Sequence, residues 1–340
     1  MLCLYANWMS DFWRKLFVSS RESFVLQRFK TLKVVAASGL LSVVLLSSVA
    51  PARGSDTCEN PSFVNRTAKS MSTKIPCAYV PHGGGPLPIL GDKDHVEMVN
   101  WLKKFVGTYL TGDKKPTSCL IISAHWEEKQ ATVQSGATTK LYYDYYGFPK
   151  ESYNLKYTLP GATELSKRVG QLLESANIRY KVDNDRGYDH GVFIPMKILF
   201  PDGDIPTIQL SLVSGLDPKT HIKLGEALAP LRDEGVFVLG SGMSYHNMRG
   251  FNNGQSNKDS DPFHEYLRSS LVNSKNYKDK VAALDNWAKA PKARECHPRE
   301  EHLMPLHVIL GAAKHEGNVE VKEVFYDNVA GVKCAGYIFE

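Results

Sequence analysis

Residues 118–125 read SCLIISAH, an uninterrupted apolar run that ends at a histidine. An apolar run without alternation is typical of a strand covered on both faces, as in a parallel sheet. We therefore predict a strand at Ser118–Ala124. Similar runs predict strands at Cys77–Pro81, Thr207–Val213 and Val236–Gly240. Four such runs in one chain indicate a buried central sheet.

Helical spacing of apolar residues separates these strands along the chain. It predicts helices at Asp94–Leu110, Ala162–Ala176, Val192–Phe200, Thr220–Arg232, Pro262–Asn273 and Leu303–His315. Short strands are predicted at Arg179–Val182, Val319–Tyr326 and Gly336–Phe339. Because strands and helices alternate, we predict a single α/β domain with a mostly parallel central sheet flanked by helices. The carboxyl ends of the strands are where such a sheet binds its ligands.

The N-terminal part of the chain has the character of a targeting segment. Residues 34–50 carry no charge, follow several basic residues and precede Pro51-Ala52-Arg53, as in a signal peptide. The run is shorter than the roughly 20 residues of a membrane span. We predict a signal peptide or signal anchor at 1–53, a linker at 54–74 and the folded domain at 75–340. The expected location is the secretory pathway or a membrane; an organelle presequence or a cytoplasmic chain with a buried N-terminal helix also fits.

The charge of the chain argues against a nucleic-acid partner. The formal net charge is +5, from 41 Lys or Arg and 36 Asp or Glu. Residues 1–56 hold seven of those bases and three of those acids, which leaves 34 and 33 in the rest. The folded body is therefore nearly neutral, without the excess of basic residues that nucleic-acid binding needs. The six cysteines show no CxxC spacing, so a zinc ribbon is unsupported.

Three histidines follow predicted strands at the point where each strand ends. His82, His125 and His246 come after the first, second and fourth of the four apolar strands in chain order. Because neutral imidazole is a common ligand of zinc and iron, we predict that these side chains converge on a metal. Taken singly, each could equally be a capping or hydrogen-bonding residue. The glycines at 83–85, next to His82, would permit close approach of a ligand.

The remaining histidines give weaker signals. His190, in the sequence YDHG, begins a predicted helix and is either its cap or an acid/base group, with Asp189 as a candidate partner. His302 and His307 are five residues apart, so they lack the HExxH spacing of zinc proteases. Polar helical surroundings predict solvated side chains for His95, His221, His264 and His315.

Five motifs around separate histidines, in the order VPHGGGP, SAHW, YDHG, SGMSYHN and EEHLMPLHV, carry a family resemblance. Together they resemble the class III extradiol ring-cleavage dioxygenases, in particular the 4,5-DOPA extradiol dioxygenase-like branch. The resemblance covers about residues 75–340 and implies that this region is a single catalytic α/β domain. It also implies one mononuclear divalent metal per chain, Fe(II) for oxygenase activity or Zn(II) as the bound metal.

The resemblance assigns roles to individual residues. It places metal ligands at His82, His125, His246 and His302. It places the acid/base group at His190, with His246 as an alternative proton donor beside the metal. Another branch uses a glutamate as its third ligand, so Glu300 and Glu301 remain candidates for that position.

The activity implied is that of a metal-dependent extradiol dioxygenase, an oxidoreductase that opens a catechol-type ring, such as that of DOPA, with O2. A facial set of protein ligands leaves adjacent positions for a catecholate and for dioxygen. Two alternatives are a zinc-dependent hydrolase with His190 as its base and a non-enzymatic Memo-like binding protein on the same scaffold. The aromatic run at 142–148 is interpreted as a strand packed in the core, or else as the lining of a catechol pocket.

Overall fold

The computed structural model describes residues 74–251, 256–314 and 318–340 of the chain. Within these ranges, one eight-stranded sheet forms the centre of the domain. The predicted targeting segment at 1–53 and all but the last residue of the predicted linker at 54–74 lie outside the described residues. None of the described helices combines the length and the apolar character that crossing a membrane requires.

The strands form a sheet that is parallel at its centre. They are β1 (Cys77–Pro81), β2 (Ser118–Glu128), β3 (Ala131–Gln134), β4 (Tyr180–Asp183), β5 (Thr207–Val213), β6 (Val236–Gly242), β7 (Val321–Val329) and β8 (Val332–Phe339). Their order in the sheet is β4-β3-β5-β2-β6-β1-β8-β7. The contiguous strands β5, β2, β6 and β1 pair in parallel, whereas β8 is antiparallel to β1 and β7, and β3 is antiparallel to β5. The predicted mostly parallel sheet is confirmed.

All six predicted helices are present, with shifted ends. The described helices are α1 (Val96–Tyr109), α2 (Thr163–Ser175), α3 (His190–Leu199), α4 (Pro218–Leu228), α5 (Ser256–Leu271), α6 (Tyr277–Asp285), α7 (Ala293–Cys296) and α8 (Met304–Ala312). The start of α5 differs most from the prediction, because Pro262 lies inside the helix rather than in its first turn.

Helices cover both faces of the sheet. A Cβ added at Gly240 of β6 would lie 2.7 Å from Ile309 of α8. The next residue, Ser241, donates its hydroxyl to the carbonyl of Gly191 in α3. Because successive strand residues point to opposite faces, α3 and α8 lie on opposite sides of the sheet. The parallel strands between them are almost wholly buried, as their continuous apolar runs predict.

Two local predictions are wrong. The aromatic run at 142–148 is an irregular segment and not a core strand. Its Tyr142 and Tyr146 side chains are exposed, whereas Tyr145 is buried and donates its hydroxyl to the carbonyl of Ser152. In addition, β2 continues past His125, so that this histidine lies within the strand and not after it.

The prediction of solvated histidines is also wrong for the members that the structure describes, since His95, His221 and His264 are fully buried. His315 lies outside the described residues. Each buried ring has specific partners: for example, Nε2 of His221 accepts the backbone N–H of Val213 at 3.1 Å. A histidine whose ring nitrogens are hydrogen-bonded is stable in the interior. Its polar neighbours in sequence do not show whether such hydrogen bonds form.

These buried histidines should make the protein sensitive to acid. Burial lowers the pKa of His264 and of His307 to about 4, whereas both titrate near 6.5 in the unfolded chain. The unfolded state therefore binds more protons, and stability is lost as the pH falls from about 6.5 towards 4. From pH 7 to pH 5, we expect each of these two histidines to lower the unfolding free energy by on the order of 2 kcal/mol. Urea unfolding at both pH values measures this, and His264→Gln should flatten the dependence; an unchanged slope would contradict it.

Candidate metal centre

Three histidine rings from separate parts of the chain face one another at the carboxyl end of the sheet. His82 follows β1, His125 lies in β2, and His302 precedes α8. The Nε2 atom of His125 lies 3.1 Å from Nε2 of His82 and 3.2 Å from Nε2 of His302. The structure therefore brings together three of the four histidines that were predicted as metal ligands.

The protein engages the outer nitrogen of two of these rings. Nδ1 of His82 lies 2.9 Å from Ser241 Oγ, and the proton of that hydroxyl is donated to the Gly191 carbonyl. Since a hydroxyl has a single proton, His82 Nδ1 must be the donor. Nδ1 of His302 donates to Glu301 Oε1 at 3.0 Å. On both rings Nε2 therefore carries no proton, and its lone pair faces His125.

The converging nitrogens fit a single divalent cation. Nitrogens that share a tetrahedral ion at about 2.0–2.1 Å lie roughly 3.3 Å apart, close to the observed 3.1 and 3.2 Å. Burial lowers the pKa of His82 and of His302 well below the usual imidazole value, and neighbouring imidazoles lower it further. Both rings are thus neutral at pH 7, the form that binds a metal.

His190 lies beside this set and is held by a carboxylate from the aromatic segment. Its ring centroid is 3.8 Å from that of His125. Asp144 Oδ1 accepts both the backbone N–H and the Nδ1 proton of His190, each at 2.9 Å. Burial alone would raise the pKa of Asp144, but the hydrogen bonds that its carboxyl accepts from His190 hold this pKa below its usual value. Asp144 therefore accepts as a carboxylate, and Nε2 of His190 is the free nitrogen.

Asp189 is not the partner of His190, contrary to the sequence-based suggestion. Its carboxylate accepts from Ser123 Oγ at 2.7 Å and from Arg186 Nη2 at 2.8 Å. Neighbours in sequence often point apart, and here Asp189 immediately precedes α3, whereas Asp144 approaches the first turn of that helix from another segment.

His246 lies against His302 rather than within the set of three. The two rings are stacked, with centroids 3.4 Å apart and planes at 16°. Nδ1 of His246 is 3.2 Å from Glu301 Oε1, the same oxygen that accepts from His302. Glu301 therefore faces the outer nitrogens of both rings, while Glu300 pairs with Arg294. The prediction that His246 is a ligand stays a prediction.

The glycines after His82 accommodate other side chains of the protein. Gly83 has φ +78°, and a Cβ there would lie 2.7 Å from His95 Cδ2. A Cβ at Gly85 would lie 3.0 Å from the ring of Phe148. The space was predicted to serve a ligand, but in the structure it is taken by neighbouring rings.

Aromatic rings border the His190 side of the centre. The Tyr145 ring lies 5.9 Å from that of His190 and 5.4 Å from that of Phe148, both edge-on. Burial raises the pKa of Tyr145 to about 12, so its hydroxyl stays protonated and bound to the Ser152 carbonyl. The aromatic segment thus supplies both an apolar wall and the Asp144 carboxylate.

Comparison with known proteins identifies the family. Residues 77–339 match the catalytic LigB subunit of aromatic ring-opening dioxygenase. The chain belongs to this family. It is 35% identical over 258 residues to a dioxygenase of Hapsidospora irregularis, across 72% of this chain and 80% of that protein. It is 36% identical over 248 residues to the 4,5-DOPA dioxygenase extradiol of Beta vulgaris, across 72% and 88% of the two chains.

A solved structure shares this fold. The crystal structure of an uncharacterised protein from Escherichia coli K12 superposes with a TM-score of 0.62 and 26% identity, over 78% of this chain and 100% of that one. As a LigB-family protein, the chain is a metal-dependent extradiol ring-cleavage dioxygenase, an oxidoreductase that acts on an aromatic substrate with O2. The family resemblance carried by the five histidine motifs is confirmed.

Sequence reasoning missed two groups of this dioxygenase site and left the role of a third open. Asp144 is one of them, and its signal was a single acid inside the aromatic run YYDYY. Ser241 is another, since a serine within an apolar strand gave no indication that it would orient His82. The third is Glu301, a ligand candidate from the sequence: its Oε1 lies 3.0 Å from Nδ1 of His302 and 3.2 Å from Nδ1 of His246, and the prediction that it is a ligand stays a prediction.

Proposed function

We propose that this LigB-family chain opens a catechol-type ring, DOPA-like in its substituents, with an Fe(II) ion held by His82, His125 and His302. The convergence of three Nε2 atoms on one point carries the proposal. When bound there, Fe(II) would hold the catecholate and dioxygen side by side and pass electrons between them. The substrate class is supported by the name of the Beta vulgaris relative.

The side chains around the metal centre transfer the protons of the catechol. With its Nδ1 donating to Asp144, His190 leaves Nε2 to accept a proton, and its ring lies 3.8 Å from that of His125. It accepts a proton from a catechol hydroxyl as the substrate binds and returns it as the ring opens. The Asp144 carboxylate stabilises the imidazolium formed in between.

We propose a second proton transfer through His246. Its Nδ1 is oriented by Glu301, as that of His190 is by Asp144. The two imidazole–carboxylate pairs flank the three-imidazole centre on its His302 and His125 sides. This arrangement supports a role for His246 as a proton donor or acceptor rather than as a fourth ligand.

Metal identity and substrate are tested together by anaerobic reconstitution with Fe(II) or Zn(II), followed by oxygen uptake with a panel of catechols that includes DOPA. Both oxygen atoms enter the product, so one O2 should be consumed per ring opened without any added reductant. The Fe(II) protein should turn over, whereas the Zn(II) protein should be silent, because zinc is redox-inactive. Activity with zinc alone would contradict the proposal and favour hydrolysis.

A further inference from the structure

His125 lies in a β-bulge, which leaves its backbone without regular strand partners. Between Ile122 and Glu127, β2 advances five residues while β5 advances only two, from Leu210 to Leu212. Such a bulge re-aims a side chain at the cost of local ladder hydrogen bonds. The backbone of a half-buried residue placed there needs other partners to hold it still.

Two side chains supply those partners. The pairing of β2 with β6 ends at Ser123, whose Oγ accepts the backbone N–H of His125 at 3.1 Å. Nη2 of Arg186 donates to the His125 carbonyl at 3.2 Å. Both polar groups of the His125 backbone are thus bound by side chains.

The buried carboxylate of Asp189 joins the two. It accepts the Ser123 hydroxyl at one oxygen and Arg186 Nη2 at the other. Because the proton of Ser123 goes to Asp189, the serine oxygen offers a lone pair to His125. The fit is close: a Cβ at Gly191 would lie 2.4 Å from Ser123 Oγ and 3.1 Å from His125 Cδ2. Little space remains for Ser123 to adopt another position.

We infer that Ser123, Arg186 and Asp189 are positioning residues that fix the bulged backbone of His125, so that its Nε2 reaches the point shared with the other two imidazoles. The inference rests on the proposed metal centre. It also accounts for Arg186, whose guanidinium contacts both the ligand's carbonyl and the buried acid. Removal of outer partners of a metal ligand typically weakens metal binding by about 10- to 100-fold.

Two variants of the full chain test this directly. Ser123→Ala removes the acceptor of the His125 N–H without adding volume, and Arg186→Lys removes the planar group that binds the His125 carbonyl and Asp189 together. We expect each to bind Zn²⁺ about 10- to 100-fold more weakly, measured by competition with a chromogenic chelator. The visible spectrum of the Co²⁺ form should change as well, because it reports coordination geometry.

Matched controls exist elsewhere in the domain. Ser211 Oγ also accepts a buried backbone N–H, that of Thr132, at 3.0 Å. Arg268 also pairs with a carboxylate, Glu323, at 2.8 Å. Ser211→Ala and Arg268→Lys should bind Zn²⁺ as the wild type does, even if their melting temperatures fall.

A His125→Ala background separates positioning from general folding. If Ser123 acts through His125, adding Ser123→Ala to His125→Ala leaves the affinity in a direct Co²⁺ titration unchanged. Wild-type affinity in Ser123→Ala and Arg186→Lys, or an equal loss on both backgrounds, overturns the inference. If the wild type itself fails to bind Zn²⁺ or Co²⁺, the metal centre is overturned and the inference with it. The wild-type titration therefore tests the metal centre, whereas the variants test the positioning role alone.

Discussion

His82→Ala is expected to lose its metal and, with it, ring cleavage. Nε2 of His82 lies 3.1 Å from Nε2 of His125, which in turn lies 3.2 Å from Nε2 of His302. Removing a ligand should weaken binding by more than the roughly 100-fold that the loss of an outer partner can cost. His125→Ala should behave in the same way. Metal content after gel filtration in metal-free buffer, read by plasma emission, measures the loss.

The matched control is a buried histidine that lies outside the centre. His221 is fully buried, and its ring binds the Val213 N–H and the Asp217 carbonyl. His221→Gln should lose about 1–3 kcal/mol of stability from unpaired buried groups, yet keep its metal. Equal metal content in the His82, His125 and His221 variants would refute the ligand assignment.

The fold was predictable because its signals are local. Apolar runs such as Thr207–Val213 and Cys77–Pro81 mark buried strands with the bounds that the structure shows. The short β3 was not predicted, since four residues, Ala131–Gln134, carry too little pattern to separate a strand from a loop. The bulge at His125 likewise leaves no mark in sequence, because it depends on the register of two strands far apart in the chain.

The site was predictable only where topology determines position. The carboxyl ends of parallel strands meet at one edge, so His82 and His125 could be placed together from sequence alone. Asp144 could not, because it reaches His190 across 46 residues through a segment without regular structure. Which nitrogen of each ring faces inward also stayed hidden, since that depends on hydroxyl and carboxylate partners such as Ser241 and Glu301.

His190→Gln is expected to keep its metal and its catechol affinity while losing about 10²- to 10⁴-fold in turnover. Nδ1 of His190 is committed to Asp144 at 2.9 Å, so the reaction depends on Nε2 as proton acceptor. A glutamine amide can form a hydrogen bond but cannot take up a proton at neutral pH. Iron content and single-turnover oxygen consumption on the same preparation measure the two effects separately.

Asp144→Asn distinguishes the part played by charge from the part played by geometry. An asparagine oxygen still accepts from His190, but it no longer offsets the charge of an imidazolium, so turnover should fall less than in His190→Gln. Loss of iron in either variant would instead make these groups ligands, since atoms of His125, Asp144 and His190 lie within 4.8 Å of one another. Unchanged turnover in His190→Gln would show that His190 serves only to begin α3 and moves no proton. His190 is assigned to proton transfer if both variants retain iron, and if turnover falls in Asp144→Asn and falls further in His190→Gln.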